Sequence, residues 1–143
     1  MKKIQKAFAL IFLAWTLIIA TSGCTKPQPA GLKDMQVGAA VENILQAINA
    51  NDSQKFTQDF SDAMKSAFPE TEFTKLRDTI QKTSGNYLSM SSPTLLNQNG
   101  YAIYRFPCKF EKEDVIVTVT FTIGGDKVEG LFFDSTNLRS ASK

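Results

Sequence analysis

The strictest pattern in this sequence is an alternation of apolar and mostly polar residues between positions 115 and 123. The two phases of this alternation are occupied by Val115, Val117, Val119, Phe121 and Ile123, and by Ile116, Thr118, Thr120 and Thr122. Successive side chains of a strand point to opposite faces, so a period of two predicts a strand with one buried face. Such a strand needs partners, and clean alternation is typical of an antiparallel sheet with one covered face.

Three further segments carry the signals of strands. Residues 87–95 form a weak strand interrupted by Ser91-Ser92-Pro93, which is typical of a sheet edge because proline cannot donate to a ladder. Residues 102–110 alternate like the strand that follows them, and Gly124-Gly125-Asp126 predicts a hairpin turn into a last strand over residues 128–133. The sequence therefore predicts a four-stranded antiparallel meander.

The segment before residue 86 has a helical period instead. Its apolar residues recur at spacings of three and four in three groups, which are Val41, Ile44, Leu45 and Ile48, then Phe56, Phe60 and Met64, then Phe73, Leu76 and Ile80. Asp52 is a good N-cap for the second group, and Gly85 suits the end of the third. We therefore predict an α+β domain over residues 34–134, with three N-terminal helices packed on the sheet and a flexible tail over residues 135–143.

The first 23 residues have the three-part pattern of an export signal. Lys2, Lys3 and Lys6 form a positive segment, residues 7–20 form an apolar segment, and small residues precede Cys24. The apolar segment is shorter than the stretch of about 20 residues that crosses a membrane as a helix. The sequence thus predicts a cleaved signal peptide over residues 1–23.

The residues Thr21-Ser22-Gly23-Cys24 resemble the lipobox of bacterial and some archaeal lipoproteins, in which small residues precede a cysteine. The lipobox usually has an aliphatic residue at the position of Thr21. The resemblance implies that Cys24 receives lipid and becomes the first residue after cleavage, which places the protein on the outer face of a prokaryotic membrane. Residues 24–33 contain two prolines and are predicted to be a tether between this lipid and the domain.

Composition excludes several classes of function. The chain has 16 Lys and Arg against 14 Asp and Glu, and three of the basic residues lie in the predicted leader, which leaves 13 against 14. This balance gives no basic surface for nucleic acid. The absence of histidine excludes Ser-His and Cys-His catalysis and histidine-ligated metal. Asp59 and Asp62 alone do not make a metal site, and we predict no catalytic residue, metal or cofactor.

The order of three helices and a meander is similar to the nuclear transport factor 2-like or cystatin-like fold, a cone of sheet around helices. Residues 44–52, 56–65 and 128–133 also resemble a family of small exported domains of unknown function with this fold. The resemblance implies a fold and a location outside the cytoplasm. It implies no mechanism, because the same cone occurs in enzymes, binding proteins and assembly modules.

Two surfaces of such a cone are candidate sites. Residues predicted to line an internal cavity are Phe56, Phe60, Tyr87, Tyr104 and Phe106. The back of the sheet is a candidate dimer face, formed by Ile116, Thr118, Thr120 and Thr122. Cys108 has the phase of the inward residues and is predicted to be a small buried side chain.

These features predict a membrane-anchored binding or protein-interaction domain outside the cytoplasm, whose ligand the sequence does not identify. An isomerase- or hydratase-like enzyme working in the cone is the alternative, and it requires a carboxylate beside Tyr87 or Tyr104. A structural role in an envelope assembly, as a homodimer or with another envelope protein, is a third hypothesis.

Overall fold

The computed structural model describes residues 32–141, which form an α+β fold with one antiparallel sheet of five strands. The elements in chain order are α1 (Leu32–Ala50), α2 (Ser53–Thr57), α3 (Asp62–Ala67), α4 (Glu70–Thr83), β1 (Tyr87–Met90), β2 (Thr94–Gln98), β3 (Tyr101–Phe110), β4 (Asp114–Thr122), β5 (Val128–Asp134) and α5 (Thr136–Ala141). No helix within these residues is long and apolar enough to cross a membrane. The predicted signal peptide and Cys24 lie outside the described residues.

The sheet has the order β1-β3-β4-β5, and β2 also pairs with β3. β1 pairs with residues 108–110 of β3 and β2 with residues 101–105, so both lie along the same edge of β3. The single edge strand expected over residues 87–95 is thus two strands, and the sheet has five strands rather than four. Residues 91–93 separate the two pieces, because Pro93 has no N–H to donate and interrupts the ladder.

The faces of the sheet follow the alternation in the sequence. Of the five residues in the predicted apolar phase, Val115, Val117, Val119 and Phe121 lie in β4 and are at most 4% exposed, whereas Ile123 follows the strand and is 56% exposed. On β3 the inward phase includes Tyr104 and Phe106, which lie opposite Val119 and Val117. The predicted apolar stripe of α1 is also confirmed, since Val41, Ile44, Leu45 and Ile48 are at most 1% exposed. The core therefore lies between α1 and the inward face of the sheet.

The second predicted helix is two helices, because the chain between them pairs with β5 instead of continuing the helix. Phe60 forms an isolated bridge with Val128, whose backbone N–H donates to Asp59 O at 2.8 Å. Ser61 then caps α3 by accepting a hydrogen bond from Met64 N at 3.3 Å. The spacing of four between Phe56, Phe60 and Met64 was the basis for one continuous helix. Both phenylalanines are buried in the broken arrangement too.

Four phenylalanines around α2 close one side of the core. The ring centroid of Phe56 lies 5.1 Å from that of Phe60, 5.5 Å from that of Phe68 and 4.9 Å from that of Phe73. Tilted and edge-on contacts at these distances contribute about 0.5–1.5 kcal/mol per pair beyond the area they bury. We call these four residues the phenylalanine cluster.

The segment expected to be a flexible tail forms α5, which the sequence did not predict. Glu113, in the turn between β3 and β4, accepts hydrogen bonds from Ser84 Oγ at 2.6 Å and Ser135 Oγ at 2.8 Å. It also accepts one from the backbone N–H of Asn137 at 3.2 Å, in the first turn of α5. A polar six-residue helix has little stability alone, so these contacts and the packing of Leu138 against the core account for it.

Candidate functional site

A cleft of about 520 Å³ opens between the N-terminal half of α1 and one end of the sheet. Its walls come from α1, from β2, from the start of β3, from the end of β4 and from the turn between β4 and β5. This volume lies within the range of about 300–1,000 Å³ that is typical of small-molecule sites. The cleft is therefore the candidate functional site.

The floor of the cleft is apolar and its rim partly so. Val37, Tyr104 and Phe121 line it and are at most 8% exposed. At the rim, the side chains of Leu95 and Ile123 are 49% and 56% exposed. A ligand in the cleft would remove this apolar rim from water, which is a favourable contribution to binding.

Two polar side chains that line the cleft and are partly buried have no hydrogen bond or ion pair with any other residue that the structure describes. They are Asn43 on α1 and Asp59 in the link between α2 and α3. The polar atoms of both side chains are open to the solvent of the cleft, where a ligand can replace water as their hydrogen-bond partner. Asn43 and Asp59 therefore supply recognition capacity that the fold itself does not use.

Tyr104 lines the cleft and also contacts a carboxylate. Its hydroxyl donates to Asp34 Oδ1 at 3.3 Å, and its ring meets that of Phe121 edge-on with centroids 6.0 Å apart. Burial, followed by the charge of Asp34 and the hydrogen bond to it, raises the pKa of Tyr104. The tyrosine therefore stays protonated at neutral pH and acts as a hydrogen-bond donor.

A second tyrosine makes a similar contact outside the cleft. The hydroxyl of Tyr87 donates to Glu42 Oε2 at 2.6 Å, and Gln46 donates to the other carboxylate oxygen at 2.9 Å. The amide of Asn49 binds the backbone of Tyr87 twice, accepting from its N–H at 2.9 Å and donating to its C=O at 2.8 Å. Burial, followed by the contact with Glu42, raises the pKa of Tyr87.

The predicted cavity residues therefore separate into two groups. Tyr104 lines the cleft. Phe56, Phe60 and Phe106 are at most 1% exposed and fill the core, while Tyr87 is 4% exposed and held by Glu42 and Asn49. The open space lies at one end of the sheet rather than within the core.

Cys108 is a buried free thiol, as predicted. Burial, followed by the charge of Glu42, raises its pKa to about 12. The thiolate is the reactive form, so this cysteine is not a nucleophile at neutral pH.

The candidate dimer face is the outward side of β4. Ile116, Thr118 and Thr120 are partly buried, whereas Thr122 is exposed and also lines the cleft. Thr118 lies between Arg105 on β3 and Phe132 on β5, and the Phe132 side chain is 63% exposed. Association through this face stays a prediction.

No group of three or more His, Cys, Asp or Glu side chains within residues 32–141 could hold a metal ion. The break between α2 and α3 separates the two aspartates that the sequence placed on one helix. Asp59 lines the cleft, and Asp62 is exposed in the first turn of α3.

Sequence analysis did not identify Asp34, Glu42 and Asn43 as site residues. Asp34 and Glu42 lie eight positions apart, about two helical turns, and so share one side of α1. The signal that could have identified them is a pair of carboxylates beside the apolar stripe of α1, together with tyrosines in the inward phase of the sheet. The pairing itself joins residues 70 and 45 positions apart in the chain.

The fold and the cleft define a class of small α+β domains in which helices cover one face of an antiparallel sheet and leave one end open. The family described as protein of unknown function (DUF3887) matches residues 41–131. This match covers more than half of the chain, from the middle of α1 into β5, and the chain belongs to that family. No curated protein matches the sequence.

Proposed function

We propose that this chain is an exported lipoprotein domain that binds a ligand in the cleft between α1 and the sheet. In this proposal lipid on Cys24 holds it to the outer face of a prokaryotic membrane, and residues 25–31 link that lipid to α1. The observation that carries the binding function is the cleft, with its volume of about 520 Å³. An apolar floor with a few polar groups is the usual composition of a small-molecule site.

The polar groups of the cleft support binding more than a purely structural role. A carboxylate and an amide that serve only stability would be expected to pair with the protein. Asn43 and Asp59 have no such partner among the described residues, although each is partly buried. A ligand that pairs with them replaces the water of the cleft as their hydrogen-bond partner.

The location rests on the leader pattern and the residues before Cys24 described above. The finer fold proposed is the nuclear transport factor 2-like cone. It is supported by the order of helices before a meander and by the placement of α1 against the inward face of the sheet.

A screen of small molecules by methyl NMR tests the binding function. The full chain, in a non-ionic detergent and labelled at isoleucine methyl groups, carries Ile123 in the cleft and Ile116 on the back of the sheet. Ligands are expected to shift the Ile123 signal and to leave Ile116 unchanged. A library covering cations, anions and neutral compounds that never moves Ile123 would remove the cleft as a binding site.

Mass spectrometry of the chain recovered from membranes of a lipoprotein-producing bacterium tests the anchor. The expected N-terminal peptide begins at Cys24 and carries the mass of a diacylglyceryl group. The variant Cys24→Ser is expected to leave the membrane fraction or to keep its leader. An unmodified sulfur on a chain that begins at Met1 would contradict the anchor without affecting the cleft.

An enzyme that moves protons is the second candidate, favoured by one observation. Tyr104 lines the cleft and donates to Asp34, so a tyrosine and a carboxylate adjoin the space where a substrate would lie. A compound from the screen that is converted in the presence of the chain, and no longer converted by Tyr104→Phe, would establish this activity. Binding without conversion favours the binding domain.

A further inference from the structure

The charges around the cleft are unequal. Asp59 and Asp126 line it, with Lys127 as the single basic lining residue, and Asp34 adjoins it through Tyr104. Asp126 and Lys127 are neighbours in the exposed turn between β4 and β5. Among the described residues, the lining of the cleft therefore has two carboxylates against one cation, and this cation lies at the rim beside a carboxylate.

Asp59 shows what kind of group this charge would bind. It is partly buried and has no hydrogen-bond or ion-pair partner among the described residues. A carboxylate that is partly removed from water is best satisfied by a charged donor, which forms a shorter and stronger hydrogen bond than a neutral one. Asn43, also without a partner there, adds an amide oxygen that can accept a hydrogen bond from a ligand in the cleft.

The apolar lining defines the rest of the ligand. Tyr104 and Phe121 form the floor of the cleft, but they are at most 6% exposed and offer a ligand little surface of their own. The exposed side chains of Leu95 and Ile123 extend this apolar surface to the rim.

We infer that the cleft takes an organic cation, with a protonated amine paired to Asp59 and an apolar body against the exposed side chains of Leu95 and Ile123. This inference rests on the proposed binding function and names the chemical class of its ligand. Among the residues that the structure describes, an anionic ligand of the same shape would find Lys127 as its one charged lining partner and would meet two lining carboxylates.

Three indoles that differ only in the end group of the side chain test this inference. They are tryptamine, which is a cation at neutral pH, tryptophol, which is neutral, and indole-3-propionate, which is an anion. Each is titrated into the full chain in non-ionic detergent while the Ile123 methyl signal is followed, with Ile116 as the internal control. Tryptamine is expected to bind about tenfold more tightly than tryptophol, and indole-3-propionate most weakly.

Two matched variants test whether the preference for tryptamine depends on the carboxylate of Asp59. Asp59→Asn is expected to lower the affinity for tryptamine to that for tryptophol and to leave tryptophol binding unchanged. Asp62→Asn removes the same charge from the exposed start of α3 and is expected to change neither affinity. Partition of the probes into detergent is the same for all three chains and cancels in the comparison.

Two failures are distinguishable. If tryptophol or indole-3-propionate moves Ile123 at lower concentration than tryptamine does, the cation preference is wrong while the cleft remains a binding site. Equal losses in Asp59→Asn and Asp62→Asn would likewise overturn the role of Asp59. If none of the three indoles and no member of the wider library moves Ile123, the proposed binding function itself fails.

Discussion

Two tyrosines donate hydrogen bonds to carboxylates on α1, and their surroundings differ. Tyr87, beside the C-terminal half of the helix, contacts Glu42 at 2.6 Å and has its backbone bound by Asn49. Tyr104, beside the N-terminal half, contacts Asp34 at 3.3 Å and lines the cleft. We call the surroundings of Tyr87, together with the phenylalanine cluster, the closed region. The surroundings of Tyr104, together with the cleft, are the open region.

The difference shows that one pairing of residue types contributes in two ways. In the closed region the polar groups around Tyr87 bind one another, so the pair fixes α1 on the sheet. In the open region Asn43 and Asp59 have no partner among the described residues, and the same pairing borders an open space. Stability should therefore depend mostly on the closed region, and ligand binding on the open one.

The largest effect is expected from the phenylalanine cluster. Phe56→Ala should lower the free energy of unfolding by about 3–5 kcal/mol, because Phe56 is 0% exposed and its removal leaves a cavity between three other rings. Urea unfolding followed by circular dichroism measures this loss. Phe132→Ala is the control, since Phe132 is 63% exposed, and should stay within about 0.5 kcal/mol. Equal losses in both variants would contradict the comparison.

The two tyrosines allow a direct test of closed against open. Tyr87→Phe should lower the free energy of unfolding by about 2 kcal/mol, because it removes the short hydrogen bond that the partly buried carboxylate of Glu42 accepts. Tyr104→Phe should lower the free energy of unfolding by less than about 1 kcal/mol. The hydrogen bond from Tyr104 to Asp34 is longer, and water in the cleft can replace the tyrosine hydroxyl. The same urea experiment applies to both. A larger loss for Tyr104→Phe would reverse the assignment of the two regions.

A pH experiment extends the comparison to a carboxylate far from the cleft. Burial alone would raise the pKa of Glu113, but hydrogen bonds from Ser84, Ser135 and Asn137 outweigh it and lower the pKa below its ordinary value. A lowered folded-state pKa adds stability above the ordinary pKa of glutamate, and this stability is lost as pH falls through the folded value.

Glu113→Gln should therefore reduce the loss of stability between pH 7 and pH 3 relative to the unsubstituted chain. The reduction should be about 1 kcal/mol or less, since the group lies near the surface. Unfolding free energies measured at both pH values provide the check. An identical pH dependence in the two chains would show that these hydrogen bonds do not favour the charged form.

The smallest stability effect is expected in the open region. Asp59→Asn should change the free energy of unfolding by no more than about 0.5 kcal/mol, because its carboxylate has no partner among the described residues. Asp62→Asn should behave alike in the same measurement. A loss above about 1 kcal/mol for Asp59→Asn alone would mean that this side chain serves the fold.

Local patterns in the sequence predicted most of the elements. The alternation of β4 identified its buried face, and Pro93 indicated the edge where β1 and β2 lie. Local patterns did not predict the break at Phe60, because the pairing of that residue with Val128 joins distant segments. They also missed α5, a polar helix that depends on Glu113.

The candidate site is harder to predict from the sequence for the same reason. Tyr104 was identified by its inward phase, and it does line the cleft. Asp59 was noted only as one of two carboxylates, since its position depends on where the chain leaves α2. The cleft itself results from the placement of α1 over one end of the sheet, which no residue pattern encodes.

The contact between Asn49 and Tyr87 has a further consequence for association between molecules. An edge strand with unpaired backbone groups is a template on which another chain can extend the sheet. The side-chain amide of Asn49 occupies both the N–H and the C=O of Tyr87, so a helix residue takes the place of a neighbouring strand there. At the start of β1 the protein is thus protected against intermolecular sheet growth by a single amide.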